Sequence, residues 1–262
     1  QLKNFNAGLR ENMVPQDATA VVESANLAEL VVDFESFLLE HQLGGQVQLQ
    51  GNQATFSLIG KAAHGSTPSK GVNAATFLAK YLHRFEFDRA GAESFLHLLA
   101  DHLHQDFEGV NLGVAHRDPV MQELTMNVGL VNYRDDKGGS IVANFRYPKG
   151  TDPEKMAAQT AQRLAGHDLS VEWGEFKEPH YVSVDDPMVK ELLAVYEEQT
   201  GLEGHEMTIG GGTYGRLMPR GVAYGALFPD SIDTMHQANE FIAIDDFLTA
   251  TAIYAEAIYR IT

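Results

Sequence analysis

His64 is the side chain of this sequence that is best placed to do chemistry. It lies in the stretch GKAAHGSTPSKGVNAA, residues 60–75, between an alternating strand-like run and a helix-like run. A rigid polar turn at such a point can hold an imidazole away from the sheet, free to donate a hydrogen bond or to exchange a proton. The alternative is a solvated turn residue, because the chain has 11 histidines and most of them need no special role.

The glycine-rich segment GGGTYGR, residues 210–216, is the second candidate. A glycine turn that enters a helix presents free backbone N–H groups and the positive end of the helix dipole to an anion. Gly211 and Gly212 would supply these donors, Thr213 would be the N-cap, and a carboxylate is the expected ligand. The segment has neither the lysine of a P-loop nor the spacing of a Rossmann fingerprint, so nucleotide binding is not supported. An ordinary tight turn is the alternative.

His236 is a candidate metal ligand in the acidic segment DSIDTMHQANEFIAIDD, residues 230–246. A flanking carboxylate could orient its ring toward zinc, although a solvated acidic loop has the same composition. One histidine is not a zinc site, since zinc takes at least three protein ligands, and the chain contains no H-E-x-x-H motif. Asn12 and Arg146 are each structural when taken alone, but an arginine can also clamp a substrate carboxylate with two hydrogen bonds.

Three further histidines, His97, His102 and His104, fall on one predicted helix with acidic neighbours. We interpret them as solvated, because their spacing does not give a metal-binding pair on an α-helix. No nucleophile elbow of the G-x-S-x-G kind occurs in the chain.

Composition excludes several classes of protein. The chain has 262 residues, 44% hydrophobic and 21% charged, which is typical of a globular protein with a sizeable core. A formal net charge of −17 argues against nucleic acid as a partner. The absence of apolar runs of about 18 residues argues against a membrane span. With no cysteine the chain forms no disulfide, which fits a reducing cytosol, and we expect a cytoplasmic protein.

The hydrophobic pattern predicts an α+β fold built from two tandem ferredoxin-like units, followed by an incomplete α/β segment. Alternating apolar residues predict strands at 18–24, 46–50, 53–60 and 168–176, and a hairpin over 123–148. Helical spacing predicts helices at 27–43, 73–87, 92–107 and 152–166. Beyond residue 180 the pattern predicts helices at 186–201 and 244–261, a strand, glycine loop and helix over 207–218, and a short strand at 221–229.

Five segments in this order resemble the PepV-type dipeptidases, which are di-zinc aminopeptidases of the aminoacylase and carnosinase superfamily. The segments are NMVP, GKAAHGSTPSKGVNAA, NFRYP, GGGTYGR and MHQANEFIAIDD. The resemblance implies that residues 1–180 form a lid domain of two fused α+β units. Residues 181–262 would then be the C-terminal part of the zinc-peptidase catalytic domain.

The resemblance also implies a role for each candidate residue. His236 would bind zinc, and His64 would reach from the lid to stabilise the oxyanion that forms when zinc-activated water attacks the peptide carbonyl. Asn12 and Arg146 would bind the substrate's C-terminal carboxylate or the developing oxyanion. Gly211, Gly212 and Thr213 would line the same pocket with backbone donors.

The family's upstream H-x-D motif, its bridging aspartate and its Glu-Glu pair are not in this sequence, which opens on Gln1. We therefore expect a fragment that holds zinc weakly and hydrolyses nothing alone. The full-length enzyme would be a monomer with two zinc ions that cleaves dipeptides with a free N-terminus. Two alternatives stay open: a non-catalytic α+β binding or oligomerisation module, and a deacylase or carboxypeptidase of the same superfamily.

Overall fold

The computed structural model describes residues 1–225, 227–232, 234 and 239–262. They form two compact units, Gln1–Pro179 and His180–Thr262. That the first unit is a lid and the second belongs to a catalytic domain stays a prediction. Within the described residues, no helix is both long enough and apolar enough to cross a membrane.

One antiparallel sheet of six strands is the centre of the first unit, with the strand order β3-β4-β2-β1-β7-β8. A separate short pair, β5 and β6, precedes the long β7–β8 hairpin. The strands are β1 Leu2–Ala7, β2 Asp17–Glu23, β3 Gly44–Gln50, β4 Gln53–Ile59, β5 Arg117–Asp118, β6 Gln122–Glu123, β7 Thr125–Arg134 and β8 Gly138–Arg146.

Helices cover one face of this sheet. In β2 and β4 the residues that alternate toward the helices are buried, and the intervening residues are largely exposed or half-buried, as the period-2 pattern predicts. Phe34, Phe56 and Tyr81 pack ring against ring in the core between the sheet and the helices. The helices are α1 Leu27–Glu40, α2 Ala74–Leu82, α3 Ala90–His97 and α4 Pro153–Arg163, with a 3-10 turn at Pro68–Lys70 and a π-helical turn at Leu98–His102.

The α+β class is confirmed, but the tandem ferredoxin-like arrangement is not. Strands from both predicted units lie in the single sheet, and β1 joins them between β2 and β7. The predicted strand at 168–176 is wrong, because that segment has no regular secondary structure. Its aromatic residues instead pack side chain to side chain: Trp173 on Phe145 and Phe176 on Tyr147, with ring centroids 5.9 and 4.5 Å apart.

The second unit consists of two long helices and loops. The helices are α5 Pro187–Thr200 and α6 Ile244–Ile261, with a 3-10 turn at Tyr214–Leu217. Leu192 and Val195 of α5 pack against Ile253 and Ala257 of α6 to form a small core. The strands predicted within 207–218 and 221–229 are absent from the described residues of these segments. A strand requires a hydrogen-bonded neighbour, and the described part of this unit provides none.

Candidate functional site

His64 lies on an extension of the sheet beyond the paired ends of β2 and β4. The loop that enters β2 and the loop that leaves β4 continue the antiparallel pairing, so that Met13 and His64 face each other as bridge partners. Three backbone hydrogen bonds build this extension: Gly60 N–H to Gln16 O (2.7 Å), Val14 N–H to Ala63 O (2.9 Å) and Gly65 N–H to Asn12 O (2.8 Å). Asn12 and His64 are therefore held together by backbone hydrogen bonds.

The turn that follows His64 determines which ring nitrogen can donate. The Ser66 backbone N–H lies 3.2 Å from Nδ1 of His64, and the Ser66 hydroxyl lies 2.7 Å from the same atom. A backbone N–H can only donate, so Nδ1 must accept and the proton of the neutral ring is on Nε2. The His64 side chain is exposed. The His64 ring therefore presents its Nε2–H donor at the surface of the turn.

Asn127 of β7 fixes the loop that carries Asn12. Its side chain is 1% exposed, and its amide Nδ2 donates to the backbone carbonyls of Glu11 (2.8 Å) and Met13 (3.0 Å). The next-but-one residue is Gly129, where a Cβ would lie 2.2 Å from the Glu11 carbonyl oxygen. Absence of a side chain at Gly129 thus lets the loop lie directly on β7, within reach of the Asn127 amide.

Arg146 lies on the same face of the sheet as Asn127. It pairs across the β7–β8 ladder with Thr125, and Asn144 pairs with Asn127. Cross-strand partners project to the same side, and so do residues two apart along a strand. The half-buried Arg146 side chain therefore shares the face on which Asn127 holds the Asn12 loop. The structure thus places Arg146 on the sheet face where Asn127 holds the Asn12 loop, and a backbone hydrogen bond joins that loop to the turn that carries His64.

The predicted anion-binding loop belongs to the second unit. Gly211 and Gly212 are exposed, and Thr213 precedes the 3-10 turn Tyr214–Leu217 without a capping hydrogen bond from its side chain. The predicted helix is thus a single short turn. The predicted metal ligand, His236, lies outside the described residues.

Two contributors to this site were not predicted from the sequence. Ser66 follows His64 by two residues. Serine often forms hydrogen bonds with groups this close in the chain, so the sequence did contain a local indication of this contact. Asn127 alternates with Met126 and Val128, which places it on the polar face of a strand. The pattern gives no sign that it would contact a loop 114–116 residues earlier in the chain.

Comparison with known proteins identifies the family of the chain. Residues 19–260 match the peptidase family M20/M25/M40. The chain belongs to this family. Over 262 residues it is 45% identical to the Beta-Ala-Xaa dipeptidase of Lactobacillus delbrueckii subsp. lactis, an alignment that covers 100% of this chain and 55% of that protein. The predicted resemblance is confirmed at the level of the family.

Further M20 relatives carry similar names. The chain is 38% identical to the "Putative dipeptidase YtjP" of Bacillus subtilis (strain 168), covering 99% of this chain and 55% of that protein. It is 37% identical to the "Putative dipeptidase SSP1012" of Staphylococcus saprophyticus, covering 100% and 56%. The chain thus spans about half the length of the curated relatives that it matches.

Proposed function

We propose that this chain forms the lid and the C-terminal catalytic segment of a zinc-dependent dipeptidase that cleaves dipeptides with a free N-terminus. The lid would consist of the two fused α+β units, and the chain alone would be inactive. The hydrogen bonding of His64 carries the proposal, because it leaves an exposed Nε2–H donor on a rigid turn. An oxyanion that develops on the scissile carbonyl needs such a donor.

Asn12 and Arg146 complete the substrate-binding part of the proposal. Arg146 would pair with the C-terminal carboxylate of the dipeptide, for which the planar guanidinium is well suited. Asn12 would donate its side-chain amide to the same carboxylate or to the oxyanion. The hydrogen bonds from Asn127 support this role, because they fix the backbone on both sides of Asn12.

Zinc cannot be held by the residues assigned to it within this chain. His236 is the single proposed ligand, and a stable zinc site needs at least three. Bound zinc would supply a nucleophilic water and polarise the carbonyl. The part that we propose for this chain is limited to binding the substrate and stabilising negative charge, with Gly211, Gly212 and Thr213 as further backbone donors.

The surface of α6 supports a missing partner segment. Ile253 and Ala257 are buried against α5, yet the opposite side of α6 is also apolar. Its exposed residues are Ile244, Phe247, Leu248, Ile258 and Tyr259. A helix with two apolar sides is normally covered on both of them. The half-length match to the relatives suggests the occupant: the remainder of the catalytic domain.

Two experiments test the proposal. In this chain, two-bond 1H–15N correlation spectra at alkaline pH should show His64 as the Nε2–H tautomer; a dominant Nδ1–H tautomer would contradict the donor role. In a full-length protein with the upstream H-x-D and Glu-Glu segment, His64→Ala should lower kcat at least about 100-fold with zinc content unchanged. The exposed His205→Ala is the matched control.

A substrate panel separates the alternatives. Free dipeptides should be hydrolysed faster than N-acylated amino acids by the full-length protein. Equal or better turnover of the acylated substrates would favour a deacylase, and a preference for longer peptides would favour a carboxypeptidase. A full-length protein that hydrolyses none of these would leave the α+β binding module as the function.

A further inference from the structure

Three histidines from distant parts of the first unit meet at its surface, outside the candidate site. His97 ends α3, His102 ends the π-helical turn, and His167 lies in the turn after α4. One ring nitrogen of each lies within 4.8 Å of one ring nitrogen of both others. All three side chains are half-buried, so the cluster is open to an ion from solvent.

The π-helical turn brings two of these histidines together. On an α-helix, residues five apart point about 140° away from each other, because each residue turns the chain by about 100°. In the segment Leu98–His102 the amide of Leu103 bonds to the carbonyl of Leu98, the i→i+5 pattern of a π-helix. That wider turn places residues five apart above one another, and such turns recur at functional sites. The π-turn therefore brings the rings of His97 and His102 within 5.4 Å of each other, although their spacing would separate them on an α-helix.

The three rings have the spacing that a metal ion requires. Their centroids are 5.1 Å apart for His97–His167, 5.2 Å for His102–His167 and 5.4 Å for His97–His102. Zinc–nitrogen bonds of about 2.0–2.1 Å in tetrahedral geometry put imidazole centroids about 5.2 Å apart. The ring nitrogens, now within 4.8 Å of one another, would have to close to about 3.3 Å by side-chain rotation to share one tetrahedral ion.

Asp101 provides the supporting carboxylate. It lies 2.8 Å from Nδ1 of His97, 3.1 Å from Nε2 of His83 and 3.3 Å from the Lys80 ammonium group. A carboxylate that accepts from one nitrogen of a histidine fixes the ring and leaves the other nitrogen to bind metal.

We propose that His97, His102 and His167 bind one divalent transition-metal ion, such as Zn²⁺ or Ni²⁺, with water completing the coordination. Imidazole nitrogens are good ligands for these ions, whereas Mg²⁺ and Ca²⁺ prefer oxygen. The ion would join the end of α3 to the turn after α4, and so acts as a structural clip on the first unit. This site is independent of the zinc proposed for the dipeptidase reaction.

Calorimetric titration of the 262-residue chain with ZnCl₂ and NiCl₂ tests the site. We expect one ion per chain. His102→Asn or His167→Asn should each raise Kd at least about tenfold, because the loss of a hydrogen-bond partner of a ligand already costs about that much and these variants lose the ligand itself. The matched control is His41→Asn, because His41 is exposed and belongs to neither group of potential metal ligands. His83→Asn tests whether the ion binds instead at the group that His83 forms with His97 and Asp101. His236→Asn should also leave Kd unchanged. Bound Ni²⁺ should broaden the imidazole signals of the three ligands.

Several outcomes would overturn the proposal. One is that His102→Asn and His167→Asn bind both metals as tightly as the parent chain. Another is that His83→Asn weakens binding while those two variants do not, which would move the ion to the overlapping group His83, His97 and Asp101. Loss of binding in His236→Asn alone would assign the ion to the other unit. Circular dichroism of each metal-free variant checks that it folds.

Discussion

The Asn127 amide is the contact on which the geometry of the candidate site depends most directly. Asn127→Ala removes two hydrogen bonds, to the carbonyls of Glu11 and Met13, from a side chain that is 1% exposed. At about 0.5–1.5 kcal/mol net for each bond, the free energy of unfolding should fall by about 1–3 kcal/mol. Urea titration of the chain measures this loss.

Amide hydrogen exchange shows which part of the chain is destabilised by Asn127→Ala. The amides of Gly65 and Val14 bond across the two loops, so their protection should fall about 5- to 150-fold if the loop opens by 1–3 kcal/mol. Asn144→Ala is the matched control: it faces Asn127 across the ladder, and its Oδ1 has no hydrogen-bond partner among the described residues. The reasoning is refuted if Asn127→Ala unfolds like the parent chain, or if Gly65 and Val14 keep their protection.

Three further predictions concern the stability of the two units, all measured by urea titration. Burial lowers the pKa of His104 to about 4 in the folded chain. On acidification, His104 is therefore protonated at a higher pH in the unfolded chain than in the folded one. Stability should drop by about 2–3 kcal/mol between pH 7 and pH 4, and His104→Gln should flatten that slope. The Tyr81 hydroxyl donates to a buried carbonyl of α1, so Tyr81→Phe should cost about 1–2 kcal/mol; an equal loss in the exposed Tyr259→Phe would contradict this. Ile253→Ala should destabilise the second unit by about 2–5 kcal/mol, unlike the exposed Ile244→Ala.

Local signals in the sequence predict most of the helices and hairpins. The helix predicted at 152–166 opens on Asp-Pro, and the Asp152 carboxylate caps α4 by accepting from the amides of Glu154 and Lys155. The hairpin predicted over 123–148 forms, and its turn lies between Arg134 and Gly138, where Gly138 adopts a positive φ. Both features depend on residues adjacent in the chain.

Features that depend on distant contacts were missed. The alternation of 168–176 is that of a strand, but its aromatic side chains pack without backbone pairing. The spacing of His97 and His102 predicts rings that point apart on an α-helix. The rings meet only because the helix widens into a π-turn, which no local feature of the sequence requires. The motifs that carry His64, Asn12 and Arg146 predict the family, whereas the sheet face that Arg146 shares with Asn127 follows from the register of β7 and β8.

Ser66, Asn12 and Asn127, which orient His64 and its turn, all belong to the first unit. The His64 ring is hydrogen-bonded to Ser66, and the Gly65 amide donates to the Asn12 carbonyl. The Asn127 side chain donates to the backbone carbonyls on both sides of Asn12. The donor is therefore oriented before any substrate or second segment is present. Pre-oriented dipoles stabilise developing charge without reorganising during the reaction, which is why they lower barriers more than mobile groups do. For the proposed dipeptidase, the added segment would need to supply metal and base, but not the orientation of His64.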